Sequence, residues 1–353
     1  MKFKRYALSK LATIKYGKNQ KKVLSEDGNI PIYGTGGLMG YATTALYDKP
    51  SVLIGRKGTI GKVKYVEHPF WTVDTLFYTI IDVDIVIPKY LYYVMSLIDL
   101  NNYNEGTTIP SLRTETLNRL EFDIPSIEEQ EIVLSCLNPI DRKIELNNAI
   151  NNNLEQQADA LYQEFFSPKS GTQGKIATLD EYCSIFTGKK NANASVDGGQ
   201  YKFFTCAPDA LQIDSYIYDG NAIIVSGNGA YAGRTRFYSG RFDLYQRTYA
   251  CTLLDNINPD YIFPLYWFVK LELSKKIMGG TRGSAIPYIV MNDLAKFEFI
   301  YNNETFAQYM PIFKTLTETI QANEFENETL ANTRDSLLPQ LMSGELDVSD
   351  IDL

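Results

Sequence analysis

The sequence predicts an α+β protein, with two duplicated globular modules separated by a pair of long antiparallel coiled-coil helices. Three observations support this fold class. An apolar seam that steps by alternating threes and fours, as in heptad-packed helices, occurs twice, 176 residues apart. Short β-branched runs between Gly-rich turns precede each seam. Motifs in the two halves also match in order. The paired seam positions are Leu137, Ile140, Ile144, Asn147, Asn151, Leu154, Ala158, Leu161 and Phe165, then Phe313, Leu316, Ile320, Asn323, Asn327, Leu330, Arg334, Leu337 and Leu341.

The modules come first in each half, and their strands are short. Residues 52–54, 63–66 and 223–225 are β-branched runs that predict strands. Residues 55–58 and 226–229 align with each other and predict hairpin tips, where glycine supplies a positive φ. Residues 88–99 and 259–276 predict helices with proline near the first turn.

The seam helices have recognisable starts. Ser126 and Glu129 have the spacing of a capping box, and Asn303 is the candidate cap of the second helix. Pro139 predicts that the first helix restarts or kinks, and Pro311 predicts a comparable break in the second. Beyond these prolines each helix is expected to run for about 26 to 30 residues.

These elements divide the chain into five segments. The predicted modules are residues 1–125 and 176–302, and the predicted spacer-helix regions are 126–166 and 303–353. Residues 167–175 form a linker rich in Ser, Gly, Pro and Thr.

An apolar seam of this length must be buried, and its best partner is the duplicate seam. The alternative is that each helix packs on its own module as an ordinary core helix. In the paired arrangement, four seam asparagines are predicted to fix the register at some cost in stability: Asn147, Asn151, Asn323 and Asn327.

Composition narrows the class of protein. The 353 residues are 44% hydrophobic, enough for two ordinary cores, yet no stretch approaches the roughly 20 apolar residues of a membrane span. The basic N-terminus lacks the apolar core of a signal peptide. The four cysteines are dispersed without a C-x-x-C pair. We therefore expect a reduced, cytoplasmic protein.

The charge is unevenly distributed along the chain. The net charge is −8, but residues 121–164 and 304–353 each carry ten acidic and two basic residues. The modules are therefore basic, and the first 25 residues hold eight Lys or Arg and no acid. Acidity is common on solvated helices, whereas clustered basic residues favour a polyanionic partner.

Motifs for catalysis fail on inspection. Residues 55–63 resemble a phosphate loop, but Arg56 replaces its first glycine and Val63 its Ser/Thr. Residues 34–40 miss the dinucleotide-binding spacing by one residue. His68 is the single histidine, and no amino-methyltransferase tetrapeptide (Asn/Asp-Pro-Pro-aromatic) occurs. We therefore predict no active site and no metal site.

Binding residues are better supported than catalytic ones. Arg, Asn and Gln side chains can bond guanine and adenine edges bidentately, and Lys binds phosphates. For any single residue an ordinary solvated hairpin tip remains the alternative. The candidate nucleic-acid contacts are Lys18, Arg56, Lys57, Lys62, Lys64, Thr107, Thr108, Ser111 and Arg113 in the first module, and Lys189, Lys190, Asn228, Tyr231, Arg234, Arg236, Gln246, Arg247, Arg282, Ser284 and Tyr288 in the second.

Several motifs together resemble a known family. Residues 106–112 (GTTIPSL) ahead of residues 122–125 (FDIP) resemble the end of a target-recognition domain. Residues 128–130 (EEQ) and 337–345 (LLPQLMSGE) resemble repeated helical regions. In combination the chain is similar to the specificity subunit of type I restriction–modification systems. The second copy departs from the pattern at residues 282–288 and lacks an Ile-Pro pair before its helix.

The resemblance implies a non-catalytic, DNA-binding subunit whose two recognition domains each read one half of a bipartite target. The helix pair would set the spacing and dock two modification subunits, which methylate adenine with S-adenosylmethionine. Restriction subunits would join the complex and use ATP and Mg²⁺, and this chain itself would bind no cofactor. The alternative is a duplicated coiled-coil adaptor that scaffolds proteins without reading DNA.

Overall fold

The computed structural model describes residues 1–168, 170–279 and 287–348. The chain folds as two compact units. Unit 1 contains Met1–Lys143 together with the segment from Thr329 onward, and unit 2 contains Ile144–Glu328. Each unit therefore combines one globular module with a segment of both long helices.

In unit 1 the module is built from three small sheets. β1 pairs with β9, a four-stranded sheet has the order β2-β8-β5-β6, and a three-stranded sheet has the order β4-β3-β7. The strands are β1 (Lys4–Ala7), β2 (Ala12–Tyr16), β3 (Ile30–Gly34), β4 (Gly37–Ala42), β5 (Ser51–Gly55), β6 (Val63–Val66), β7 (Trp71–Thr72), β8 (Leu76–Ile81) and β9 (Glu121–Ile124), and the helices are α1 (Leu8–Leu11), α2 (Pro88–Ser96), α3 (Thr114–Asn118) and the long α4 (Ile127–Phe165).

In unit 2 the module has one pair of strands, β10-β17, and one six-stranded sheet with the order β11-β16-β14-β15-β12-β13. The long strand β15 pairs with β14 along one edge and with β12 along the other. In unit 1 the corresponding positions form two separate strands, β6 and β7, which lie in different sheets. The second sheet is therefore continuous where the first is divided. The elements are β10 (Lys175–Thr178), β11 (Cys183–Thr187), β12 (Tyr201–Phe204), β13 (Leu211–Ile213), β14 (Tyr218–Ser226), β15 (Thr235–Leu244), β16 (Thr248–Leu253) and β17 (Glu298–Tyr301), with helices α5 (Ile262–Gly279), α6 (Met291–Ala295) and the long α7 (Asn303–Ser343).

The predicted strands and module helices are confirmed. All five residues of β5 are buried between β8 and β6, as expected for an apolar run in the middle of a sheet. Pro88 opens α2. Pro259 opens a short 3-10 turn that leads directly into α5, because its fixed φ suits the start of a helix.

The long helices continue through their prolines. α4 has 39 residues and α7 has 41, and the stretches beyond Pro139 and Pro311 are residues 140–165 and 312–343. The first stretch has the expected 26 to 30 residues, and the second is slightly longer. Pro139 lies inside α4 and Pro311 inside α7, so neither proline restarts or breaks its helix. Each proline removes one backbone hydrogen bond, but Leu137 and Phe313, two residues from the prolines, are fully buried and anchor the helix there.

The starts of the long helices are held by side chains. The predicted capping box is confirmed, since Ser126 and Glu129 exchange hydrogen bonds of 3.1 and 3.3 Å. In the second copy the cap is Asn302, not Asn303, because the side-chain Oδ1 of Asn302 accepts a hydrogen bond from the Thr305 N–H at 3.0 Å.

Within each unit the segments of α4 and α7 run antiparallel. In unit 2, Asn147 meets Asn327, and Phe165 stacks on Tyr309 with ring centroids 4.2 Å apart. In unit 1, Asp141 on α4 meets Arg334 on α7 at 3.1 Å. All eighteen seam positions are buried or half-buried.

The alternative that each helix packs on its own module is also realised. Leu137 of α4 lies in the core of unit 1, and Phe313 and Ile320 of α7 lie in the core of unit 2, whereas Leu341 near the end of α7 packs in the core of unit 1. The seam and the module core therefore form one apolar cluster in each unit. Module helices add polar contacts of the same kind in both units: Tyr93 bonds Asp141 in unit 1, and Trp267 bonds Thr317 at 2.9 Å in unit 2.

Candidate nucleic-acid interface

Two predicted loops meet in unit 1. The Gly58 N–H donates to the Pro110 carbonyl at 2.9 Å, and the Leu112 N–H donates to the Arg56 carbonyl at 3.0 Å. Between these bonds, Lys57 and Ser111 form a β-bridge. We call residues 56–58 with 110–112 junction 1. Gly58 has φ +87°, as predicted for a glycine in this loop.

The same contacts recur in unit 2. The Gly229 N–H donates to the Pro287 carbonyl at 3.1 Å, the Ile289 N–H donates to the Gly227 carbonyl at 2.7 Å, and Asn228 bridges Tyr288. We call residues 227–229 with 287–289 junction 2. Gly229 has φ +81°. The departure of residues 282–288 from the motif therefore leaves the backbone frame of the junction unchanged.

A third loop approaches each junction through a glycine. A Cβ on Gly17 would lie 2.0 Å from the Val73 carbonyl oxygen, and a Cβ on Gly188 would lie 1.7 Å from that of Leu244. No side chain fits at either position, which explains the aligned glycines. Lys18 and Lys189 follow these glycines and are exposed.

At junction 1 the cations differ in their surroundings. Lys57 and Lys62 are exposed, whereas Arg56 is half-buried and its Nη1 donates to the Asp74 carbonyl at 2.8 Å. The Lys64 ammonium lies 3.9 Å from the Tyr33 ring centroid, and partial burial lowers its pKa.

The Pro-containing loop of unit 1 presents Thr107 and Thr108 to solvent, and Ser111 is half-buried at the junction. Arg113 is exposed, but its guanidinium forms an ion pair with Glu105 at 3.1 Å. The loop therefore offers a ligand mainly side-chain hydroxyl groups, and its arginine is already paired with a carboxylate.

The candidate residues of unit 2 combine arginines with uncharged polar and aromatic side chains. Arg234, Gln246 and Arg247 are exposed near junction 2, and so are two tyrosines, Tyr231 and Tyr288. Asn228 is half-buried in the junction itself. Arg282 and Ser284 lie outside the described residues.

Two predicted contacts of unit 2 point into the unit instead. The Lys190 ammonium is paired at 2.8 Å with Asp243, a buried carboxylate. The Arg236 guanidinium lies against the Phe204 ring and donates to the Ala207 carbonyl, and burial lowers its pKa. Their placement gives no support to the prediction that these two side chains contact nucleic acid.

Sequence reasoning missed two residues beside junction 1. Tyr16, at the end of β2, is 52% exposed, and the Arg56 guanidinium lies 5.1 Å from its ring centroid. Thr35, in the turn between β3 and β4, approaches Gly58. The glycines around Thr35 marked a turn, whereas Tyr16 reaches Arg56 from a separate strand and carried no signal.

The four seam asparagines come together in unit 2. Asn147 donates to Asn327 at 2.9 Å, and Asn323 donates to Asn151 at 2.7 Å. Asn327 also donates to the neighbouring Asn148 at 3.0 Å. The amides thus pair across the seam, in the arrangement that a register role requires.

The described residues contain neither a metal-binding cluster nor a membrane-spanning helix. In that part of the chain no group of three or more His, Cys, Asp or Glu side chains is placed to hold a metal ion. No helix among the same residues is both long and apolar enough to cross a membrane.

Comparison with known proteins gives consistent matches. Residues 2–156 match the family model of the type I restriction modification DNA specificity domain. The type I restriction enzyme EcoDI specificity subunit of Escherichia coli is 34% identical over 179 residues, which cover 49% of this chain and 38% of that relative. The MjaIX specificity subunit of Methanocaldococcus jannaschii is 23% identical over 346 residues, covering 87% and 80%. The chain thus spans well under half of the E. coli relative.

A solved structure shows the fold. The S subunit of a type I restriction–modification system from M. genitalium has a TM-score of 0.62 and 16% identity, covering 97% of this chain and 96% of that one. This likeness confirms the predicted fold class.

Proposed function

We propose that this chain is the sequence-reading subunit of a type I restriction–modification complex, since residues 2–156 match the family model of the type I restriction modification DNA specificity domain. Each unit reads one half of a bipartite DNA target. The helix pair sets the spacing between the half-targets. The chain contributes recognition and no catalysis.

One observation carries this proposal: both junctions have the same backbone frame and different side chains. Junction 1 places Lys57 opposite Ser111, and junction 2 places Asn228 opposite Tyr288. A shared frame with different side chains suits two modules that bind the same kind of ligand and read different bases. An adaptor that never touches DNA gives no reason for exposed cations beside both junctions, such as Lys57 at junction 1 and Arg234 at junction 2.

The partners follow from the same proposal. Two modification subunits, which carry S-adenosylmethionine, dock on the helical regions, and restriction subunits that use ATP and Mg²⁺ join them. The acidic helices suit a protein-docking role, because clustered carboxylates repel phosphate. This chain holds no cofactor of its own, and it works in the cytoplasm with the DNA.

The decisive experiment measures binding of the full-length chain, with its modification subunit present, to duplex DNA at several salt concentrations. We expect affinity to fall steeply as salt rises, because protein cations displace condensed counterions. A 100-fold excess of unlabelled duplex should compete, whereas the same mass of an acidic polypeptide should not. Binding that is independent of DNA would instead establish the adaptor alternative.

A further inference from the structure

In each unit an arginine near the junction lies on a tyrosine ring. The Arg56 guanidinium is 5.1 Å from the Tyr16 ring centroid, and the Arg234 guanidinium is 5.7 Å from that of Tyr231. Tyr16 and Tyr231 are 52% and 45% exposed, so both pairs lie at the surface. A ring can orient a guanidinium without neutralising its charge.

Three other exposed arginines of the modules are held by ion pairs. In the described part of the chain, neither Arg56 nor Arg234 has a carboxylate within ion-pair distance. Three exposed arginines do, and a ligand would have to break those ion pairs to reach the guanidinium: Arg5 with Asp123, Arg113 with Glu105 and Arg241 with Asp219.

Arg56 is fixed at both its backbone and its side chain. Its N–H donates to the Thr75 carbonyl at 2.8 Å, and its Nη1 donates to the Asp74 carbonyl at 2.8 Å. Tyr16 is itself seated edge-on against the fully buried Phe77, with centroids 5.0 Å apart. The guanidinium is therefore preorganised, which lowers the entropy lost when it binds.

Arg234 is fixed through its backbone. Its N–H donates to the Tyr231 carbonyl at 3.0 Å, and its carbonyl accepts the Ser226 N–H at 2.9 Å. These bonds close the short turn that follows junction 2 and keep the arginine beside its ring.

The two pairs are not copies of each other. In the alignment of the halves, Arg56 corresponds to Gly227 and Tyr16 corresponds to Thr187. The duplication therefore accounts for the backbone of the two junctions. The Arg–Tyr pairs occupy different positions in the two units, so the duplication does not account for them. An exposed Arg–Tyr pair that occurs beside both junctions, at positions that do not correspond, indicates a common function for the two pairs.

Building on the proposed function, we propose that Arg56 and Arg234 each read a guanine, one in each half of the target, with Tyr16 and Tyr231 as positioning residues. A guanidinium can donate two parallel hydrogen bonds to O6 and N7 of guanine in the major groove. Lysine keeps the charge but loses this fork, so phosphate binding and base reading make different predictions.

The test selects binding sequences from a randomised duplex library with the full-length chain and its modification subunit. We expect the wild-type target to contain guanine in both halves. Arg56→Lys should lower the preference for guanine about 10- to 100-fold at one position in one half, and Arg234→Lys at one position in the other. Arg241→Lys is the matched control, because Arg241 also lies over a ring, at 5.0 Å from Tyr216, but is paired with Asp219.

A second measurement changes the DNA, and its first comparison uses the wild-type protein alone. Replacing the guanine by 7-deazaguanine removes the N7 acceptor and should weaken wild-type binding, while Arg56→Lys should show little further loss on the modified duplex. The guanine assignment is wrong if Arg56→Lys leaves the selected sequence unchanged, or if either half lacks guanine. Failure of the wild type to select any sequence would instead reject the proposed function itself.

Discussion

Asn147 is 1% exposed and its side-chain Nδ2 donates to the side-chain Oδ1 of Asn327 at 2.9 Å, so two seam positions that repeat in the sequence meet as a polar pair inside an apolar seam. A buried amide pair is satisfied only when the two helices keep one register. The pair therefore trades stability for a defined alignment of α4 on α7 in unit 2.

Replacing the asparagine pair tests whether it lowers stability and fixes the register of the two helices. Asn147→Leu alone should lower the free energy of unfolding by about 1–3 kcal/mol, because the Asn327 carbonyl loses its donor. The double variant Asn147→Leu/Asn327→Leu should be more stable than the wild type but looser in register. Urea denaturation measures the first effect and the spacing of the selected half-targets the second. Asn152→Leu, at an exposed position of the same helix, is the control. An unchanged half-target spacing would count against a register role.

Asp141 predicts an acid-sensitive contact in unit 1. Burial raises the pKa of its carboxyl, but hydrogen bonds from Tyr93, Lys89 and Arg334 outweigh burial and leave the pKa below its usual value. Asp141→Asn should therefore cost about 1–3 kcal/mol at neutral pH, since it leaves the half-buried Lys89 and Arg334 without this carboxylate. Asp335→Asn, which alters an exposed partner of Arg334, should cost less than about 1 kcal/mol.

The pH dependence has a defined sign. Because the folded-state pKa of Asp141 is depressed, its stabilisation is complete above the unfolded-state pKa of about 4 and is lost as the pH falls below that value. The difference in unfolding free energy between wild type and Asp141→Asn should thus be constant from about pH 6 to 8 and shrink below about pH 4. A difference that grew on acidification would contradict the assignment.

The glycines beside the junctions predict steric intolerance. Gly17→Ala and Gly188→Ala should each lower stability by about 1–3 kcal/mol or more, because the new methyl group would overlap a backbone carbonyl. Gly36→Ala has nothing within 4 Å of its new Cβ and serves as the control. Thermal unfolding of the three variants side by side measures the effect, and equal melting temperatures would refute it.

Exposed lysines predict the salt dependence of DNA binding. Lys18→Ala and Lys62→Ala should each reduce the slope of log affinity against log salt by about 0.9, the value for one phosphate contact. Lys190→Ala should leave the slope unchanged and lower stability, because its ammonium already pairs with Asp243. An equal loss of slope in all three variants would show that exposure does not decide which lysine meets phosphate.

How far the sequence predicts this protein depends on where a residue's partner lies. The seam, the capping box at Ser126 and the glycine turns at Gly58 and Gly229 depend on near neighbours or on repetition, and all were predictable. The continuity of the long helices through Pro139 and Pro311 was not, because tertiary packing around Leu137 and Phe313 overrides the local penalty of a proline.

The candidate interface also has a part that the sequence predicts and a part that it does not. The loops were predictable because both halves repeat them, but the direction of each side chain was not. Lys190 turns to Asp243, 53 positions away in the sequence, and Tyr16 reaches Arg56 from another strand. No local pattern specifies contacts of this range, so exposed and engaged cations look alike in the sequence.

The junctions are closed by main-chain groups alone, and this gives the protein an evolutionary freedom. Every residue offers a carbonyl, and every residue except proline an N–H, so positions 56, 57 and 228 tolerate almost any side chain. Gly58 and Gly229 stay glycine because of their positive φ, and Gly227 because a Cβ would meet the Arg247 carbonyl. Mutation can change what one loop recognises while the loop itself stays folded. Mutations can therefore change the recognition of one half-target at a time. The intermediate proteins remain folded and still recognise the other half-target.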